Sequence, residues 1–185
     1  MEILKKIKHS IARYYLKNKL TKNTRERRLI SLKDAKDIGI LYLLTNNQDY
    51  MAISKFVKLL QDQNKRVKAL GFVKQKHLTN RFLPKLSFDF FSKKDLNWYG
   101  KPSNVFIKDF IEKDFDIIID MSLQDNYPLQ YISGMSKAKL KVGRFGENNS
   151  DIYDVMIQNE KNSNLDKYIN EVHHYLSILK PKNNV

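Results

Sequence analysis

Two short runs of uninterrupted apolar residues constrain this chain most. Residues 38–44 (IGILYLL) and the apolar core of residues 115–121 (FDIIIDM) have strand length, and neither alternates with polar residues. Runs of that kind suit strands buried on both faces, as in a parallel sheet covered by helices. The residues after the first run agree with such a sheet. Asn46, Asn47 and Asp49 are turn and cap residues, and Ile53, Phe56, Val57 and Leu60 mark one face of a helix ending near Asn64. Residues 66–73 (RVKALGFV) then form a second strand, which completes a β-α-β unit.

The rest of the chain repeats that alternation. After a polar stretch with Pro84, residues 88–91 read as a third strand, and Ser103 caps a helix through Glu112 with Val105, Phe106 and Phe110 inward. Residues 115–121 make the central strand. Asp125 or Asn126 caps the next helix, with Pro128 in its first turn. Residues 139–145 and 153–157 form two more strands. A last helix carries Leu165, Tyr168, Ile169, Val172, Leu176 and Leu179 and stops before Pro181. The expected fold is a three-layer, Rossmann-like α/β domain over residues 32–180, with a mostly parallel sheet of five or six strands. Residues 181–185 are expected to be a disordered tail.

Residues 1–31 are expected to be a basic amphipathic helix and a linker. Ile3, Leu4, Ile7, Ile11, Tyr14 and Tyr15 recur at helical spacing, and Lys5, Lys6, Lys8, Arg13 and Lys17 face away from them. The stripe is expected to pack on the chain's own domain. Residues 1–36 hold twelve Lys and Arg against Glu2, Glu26 and Asp34, so most of the net charge of +14 sits there. Such an arm is attracted to polyanions. The expected function is that of a non-enzymatic, cytoplasmic accessory protein. Arg13, Lys17, Lys19, Lys22, Arg25, Arg27 and Arg28 would grip RNA or a ribosome-related ribonucleoprotein. An anionic membrane surface is the other polyanion the helix suits, although its apolar face has no Trp or Phe.

Several chemistries lack their residues. There is no cysteine, which removes disulfides, thiolate nucleophiles and cysteine metal sites. None of the six glycines falls into a phosphate-binding pattern, and TNNQDY stands where a nucleotide fold would place one. His9, His77, His173 and His174 do not converge, and Ser122 lacks the elbow of a hydrolase nucleophile. No metal, no cofactor and no catalytic group is expected. No run of about 18 apolar residues offers a membrane span, and the N-terminus lacks the features of a signal peptide.

Small ligands of open α/β sheets bind beyond the carboxyl ends of the strands. Thr45, Asn46, residues 93–98 and residues 120–124 should lie on that edge. There Lys93 and Lys94 would suit an anion and Trp98 a flat ring. Asp95 or Asp120 would take a hydroxyl, with Asn97 and Ser122 completing a ligand site. Alternatively, Trp98 and Tyr99 fold back as a lid while Asp95 and Asn97 satisfy turn amides.

The segments SFDFFSKKDLNWYGKP, EKDFDIIIDMS and YPLQYISGMSKAKLKVG carry a resemblance. Over residues 29–157 the chain resembles a family of short uncharacterised bacterial α/β proteins with DLNWYGKP as signature. That implies the fold and no activity. The strand ending in Asp120, its loop and the helix leading through SKAKLKVG are also similar to the N-terminal domain of lipopolysaccharide heptosyltransferases. The sugar-nucleotide-binding half has no counterpart in this sequence. That likeness implies a Rossmann-like layer and, at most, a degenerate glycosyltransferase-like domain.

Overall fold

The computed structural model describes residues 2–74, 86–147, 149–159 and 163–180. The stretch around Pro84, His77 and the tail 181–185 lie outside them. Six strands alternate with helices: β1 (Asp37–Leu44), α2 (Asn47–Asp62), β2 (Arg66–Val73), β3 (Phe88–Ser92), α3 (Val105–Glu112), β4 (Ile117–Asp120), α4 (Tyr127–Met135), β5 (Leu140–Arg144), β6 (Val155–Ile157) and α5 (Leu165–Ile178). A basic helix, α1 (Glu2–Leu20), precedes them. The strands form one sheet in the order β3-β2-β1-β4-β5-β6, and every neighbouring pair is parallel. This is a Rossmann-like α/β arrangement, and β1 and β4 are its centre.

The central strands sort their side chains by parity, because successive residues point to opposite faces. Ile38, Ile40, Tyr42 and Leu44 of β1 pack with Ile53, Phe56 and Leu60 of α2 and with Tyr168, Val172 and Leu176 of α5. Leu41 and Leu43 face the other way, toward Ile107 and Phe110 of α3 and Leu129 and Ile132 of α4. Both faces are therefore covered, which is why the runs 38–44 and 117–120 contain no polar alternation. Asparagine starts all four helices of the two layers. Asn46, Asn104, Asn126 and Asn164 each accept a backbone N–H of the first turn.

Two local expectations are corrected. Asn104, not Ser103, caps α3; Phe110 is buried as expected, but Ile107 joins it while Val105 and Phe106 are exposed. The larger correction concerns α1. Of its apolar stripe only Tyr15 packs on the domain, whereas Ile3, Leu4, Ile7, Ile11 and Tyr14 are exposed. The helix docks through another row, Ala12, Leu16 and Leu20, spaced four residues apart along one side. Gly134 of α4 makes the close approach possible, since a Cβ there would stand 2.9 Å from Leu20 Cδ2 and 3.3 Å from Leu16 Cδ1.

The segment after α1 is tied to the domain at several points. Asn23 Nδ2 donates to the Gly134 carbonyl (2.8 Å), Arg28 N to Lys139 O (3.1 Å) and Leu32 N to Leu176 O (3.0 Å). Ile30, Ser31 and Leu32 are buried. It runs from the α4 layer to the α5 layer as a fixed strap.

Candidate functional site

The basic helix is the first site to build. At 100° per residue, Ile3, Tyr14, Ile7, Ile11 and Leu4 fall within an arc of about 100–120°. Ala12, Leu16 and Leu20 centre about 170° from it. The helix thus has two faces: one holds α4 and the other looks directly away from the protein. Exposure follows that division, with Ile3 at 75%, Leu4 at 65% and Tyr14 at 73%, against 2% for Ala12 and 5% for Leu16. Cations flank the outward stripe. By the same arithmetic, Lys8 lies along one border and Lys6, Arg13 and Lys17 along the other, whereas Lys19 falls on the side of the docked row.

Among the described residues, none of Lys6, Lys8, Arg13, Lys17, Lys19 and Lys22 forms an ion pair. Lys19 Nζ stands 5.7 Å from the Tyr15 ring centre. Arg25 differs from the rest of its set. Its guanidinium is buried, donates to both Asp154 oxygens at 2.6 and 2.7 Å, and also reaches Ala138 O and Lys139 O. All these bonds are internal, so Arg25 fastens the strap. Arg27 remains exposed, 3.9 Å from Asp154, and Arg28 is exposed as well. Beneath this junction lies Lys141, which sequence reasoning missed. Its Nζ donates to Gly134 O at 2.7 Å, and burial together with the nearby Arg25 lowers its pKa to about 7.

The segment DLNWYGKP supports the same helix. Asp95 accepts from Ser92 N at 2.8 Å, and Asn97 Oδ1 accepts from Tyr99 N and Lys101 N at 3.2 and 2.8 Å. Gly100, at φ +98°, makes the turn that a side chain would strain. The turn holds Tyr99 at 5.5 Å from the Tyr15 ring of α1, and Lys101 Nζ sits 5.8 and 5.7 Å from the ring centres of Tyr15 and Tyr131. Asp95 and Asn97 therefore serve turn amides, one of the two roles the sequence allowed. Trp98 forms no lid. It is 64% exposed, with its ring against Tyr99. Lys93 and Lys94 are exposed beside it.

The second site is a crevice of about 230 Å³ at the carboxyl ends of β1 and β4, where the strand order reverses. Leu43, Thr45, Asp49, Met121, Ser122, Leu123, Gln124 and Leu165 line it, and none of residues 93–98 does. The expected ligand set is thus divided, with Ser122 at the crevice and Lys93, Asp95, Asn97 and Trp98 elsewhere. Asp49 and Leu165 are lining residues the sequence did not single out. The Asp49 carboxylate already accepts from Thr45 N (2.9 Å), Thr45 Oγ1 and Asn46 N (3.2 Å).

Asp120 is buried behind the crevice. It accepts from Ser122 N at 2.9 Å and from the Tyr153 hydroxyl at 2.6 Å. Burial pushes its pKa up, and these bonds and Arg144 oppose the rise. It borders a separate polar space of about 10 Å³ with Gln130, Arg144, Asn149 and Tyr153, room for about one water. Among the described residues no cluster of His, Asp and Glu could hold a metal ion, and no helix is long and apolar enough to cross a membrane.

No curated protein and no solved structure matches the chain. One family model does, over residues 8–179, which takes in most of α1, the strap and the whole sheet. On that match the chain belongs to a family of unknown function, DUF6913.

Proposed function

We propose that the protein is a non-enzymatic, cytoplasmic accessory protein that binds a polyanion through α1 and the strap after it. The single observation that carries this reading is the row of exposed cations along α1 and the strap, of which, among the described residues, only Arg27 has an ion-pair partner, Asp154 at 3.9 Å. Cations left unpaired by their own protein are free to replace the counterions of a phosphate chain. RNA of a ribosome-related ribonucleoprotein is the partner we assign to the strap, through Lys22, Arg27 and Arg28. Arg25 is excluded from that contact because its donors are used internally.

Filter binding of a structured RNA tests the reading. Affinity should fall roughly a hundredfold or more between about 50 and 200 mM salt. The triple variant K22Q/R27Q/R28Q should bind more weakly and with a shallower salt slope. A salt-insensitive affinity, or an unchanged slope in the variant, would refute phosphate contact by these residues.

A second reading rests on the crevice at the β1–β4 switch. Its place in the fold, beside Ser122, supports binding of a glycosyl or phosphorylated small molecule by a degenerate glycosyltransferase-like domain. Trp98 lies apart from the crevice, so its fluorescence would not report occupancy. Thermal shift against a panel of sugar phosphates and sugar nucleotides is the suitable assay, and no shift at saturating ligand would remove this reading.

A further inference from the structure

The cations of α1 account for attraction to any polyanion, but they leave the outward apolar stripe unexplained. Ile3, Leu4, Ile7, Ile11 and Tyr14 form a continuous face, exposed along the first fourteen residues of a 19-residue helix. A nucleic-acid phosphate chain offers such a face nothing, because aliphatic side chains gain only by leaving water.

Three occupants could cover it. A second copy would exploit the three-four-three spacing of Leu4, Ile7, Ile11 and Tyr14, which is that of a coiled-coil seam. Lys8 and Lys17 would flank that seam on both copies, however, and like charges would face each other. Two heptads are also short for a free-standing pair. A groove in another protein would need to wrap the helix. Its opposite side is already held by α4 through Ala12, Leu16 and Leu20, so only the outward arc is available. A flat surface fits what remains. The stripe looks away from the docked face, so a plane laid on it meets the helix before the sheet and its covering helices. The cations along its borders sit where the headgroups of such a plane would be.

We propose that the outward face of α1 lies on an anionic lipid bilayer. Ile3, Leu4, Ile7 and Ile11 enter the boundary between headgroups and acyl chains, and Lys6, Lys8, Arg13 and Lys17 meet lipid phosphates. An interfacial helix of this kind reaches about 5–10 Å into that boundary and binds by apolar area and charge together. The proposal rests on the polyanion reading of α1 and makes lipid the partner of this face. RNA contact by Lys22, Arg27 and Arg28 stands or falls separately.

The test is sedimentation of the full chain with phosphatidylcholine vesicles, with and without phosphatidylglycerol. Two variants accompany it: I7Q/I11Q, which keeps helix propensity, and K6Q/K8Q/K17Q. The wild type should pellet with anionic vesicles only. I7Q/I11Q should bind them at least about tenfold more weakly while keeping its melting temperature and its RNA affinity. K6Q/K8Q/K17Q should lose binding to anionic vesicles. Several results would overturn the proposal: no pelleting of the wild type, equal pelleting by I7Q/I11Q, or pelleting with neutral vesicles alone. Self-association abolished by I7Q/I11Q, with no vesicle binding, would assign the face to a second copy. RNA binding that survives any of these results would leave the proposed function intact, and vesicle binding without RNA binding would remove only the RNA partner.

Discussion

Lys141 is the residue whose role the sequence hides most completely. In LKVGR it looks like the polar member of an alternating strand, yet its ammonium lies under the α4 end and the strap, against Gly134 O. The unfolded chain holds this proton up to the ordinary lysine value of 10.5, whereas the folded protein releases it at about 7. Between those values the unfolded state binds more protons, so stability rises as pH increases. The limiting slope is on the order of 1 kcal/mol per pH unit. Melting temperature followed from pH 7 to 9 should rise in the wild type more than in Lys141→Met. That window ends below the range where the buried tyrosines Tyr42 and Tyr168, whose pKa values burial raises, reverse the trend. Equal slopes in the two proteins would show that Lys141 is not the group responsible. Asp120 was legible as a strand-end residue but not as a buried partner of Tyr153, because that pair is joined across 33 residues.

Among the elements, the strands were readable because burial on both faces leaves long apolar runs, and the helices because asparagine marks their starts. The seating of α1 was not readable. Its longest periodic stripe is the one that stays outside, while the docked row is led by Ala12, whose small side chain gives little periodic signal. The loop DLNWYGKP was equally ambiguous, since Asp95 and Asn97 suit a ligand and a turn alike. Its geometry gives it a different job, bracing α1 through Tyr99 and Lys101. Gly100→Val tests that job. The substitution forces a side chain into a left-handed conformation at a cost of about 1–2 kcal/mol. If the brace holds α1, trypsin should cut within residues 17–28 faster in the variant than in the wild type at matched fractions folded. Unchanged cleavage there would mean that α4 alone holds the helix.

For the whole molecule, the question is where the folded unit begins. Sequence composition divides the chain near residue 31, because charge falls and the apolar runs start there. Contacts divide it elsewhere, since Leu16 belongs to a cluster with Tyr131, Ile152 and Tyr153, and Arg25 and Arg28 bond to the turn before β5. The crevice likewise needed the three-dimensional order, because β1 and β4 become neighbours only through the reversal of strand order. Two truncations separate these views. Removing residues 1–11 takes away only exposed described side chains and should leave the melting temperature close to that of the full chain, while abolishing vesicle binding. Removing residues 1–28 strips Leu16 and Leu20 from their cluster and leaves Asp154 without Arg25, and loss of a buried apolar contact and a charged partner each typically costs about 2–5 kcal/mol. A sharp fall in melting temperature for the second truncation alone is the expected pattern. Equal stability of the two would place the start of the folded unit at residue 29 and reduce the strap to a tether.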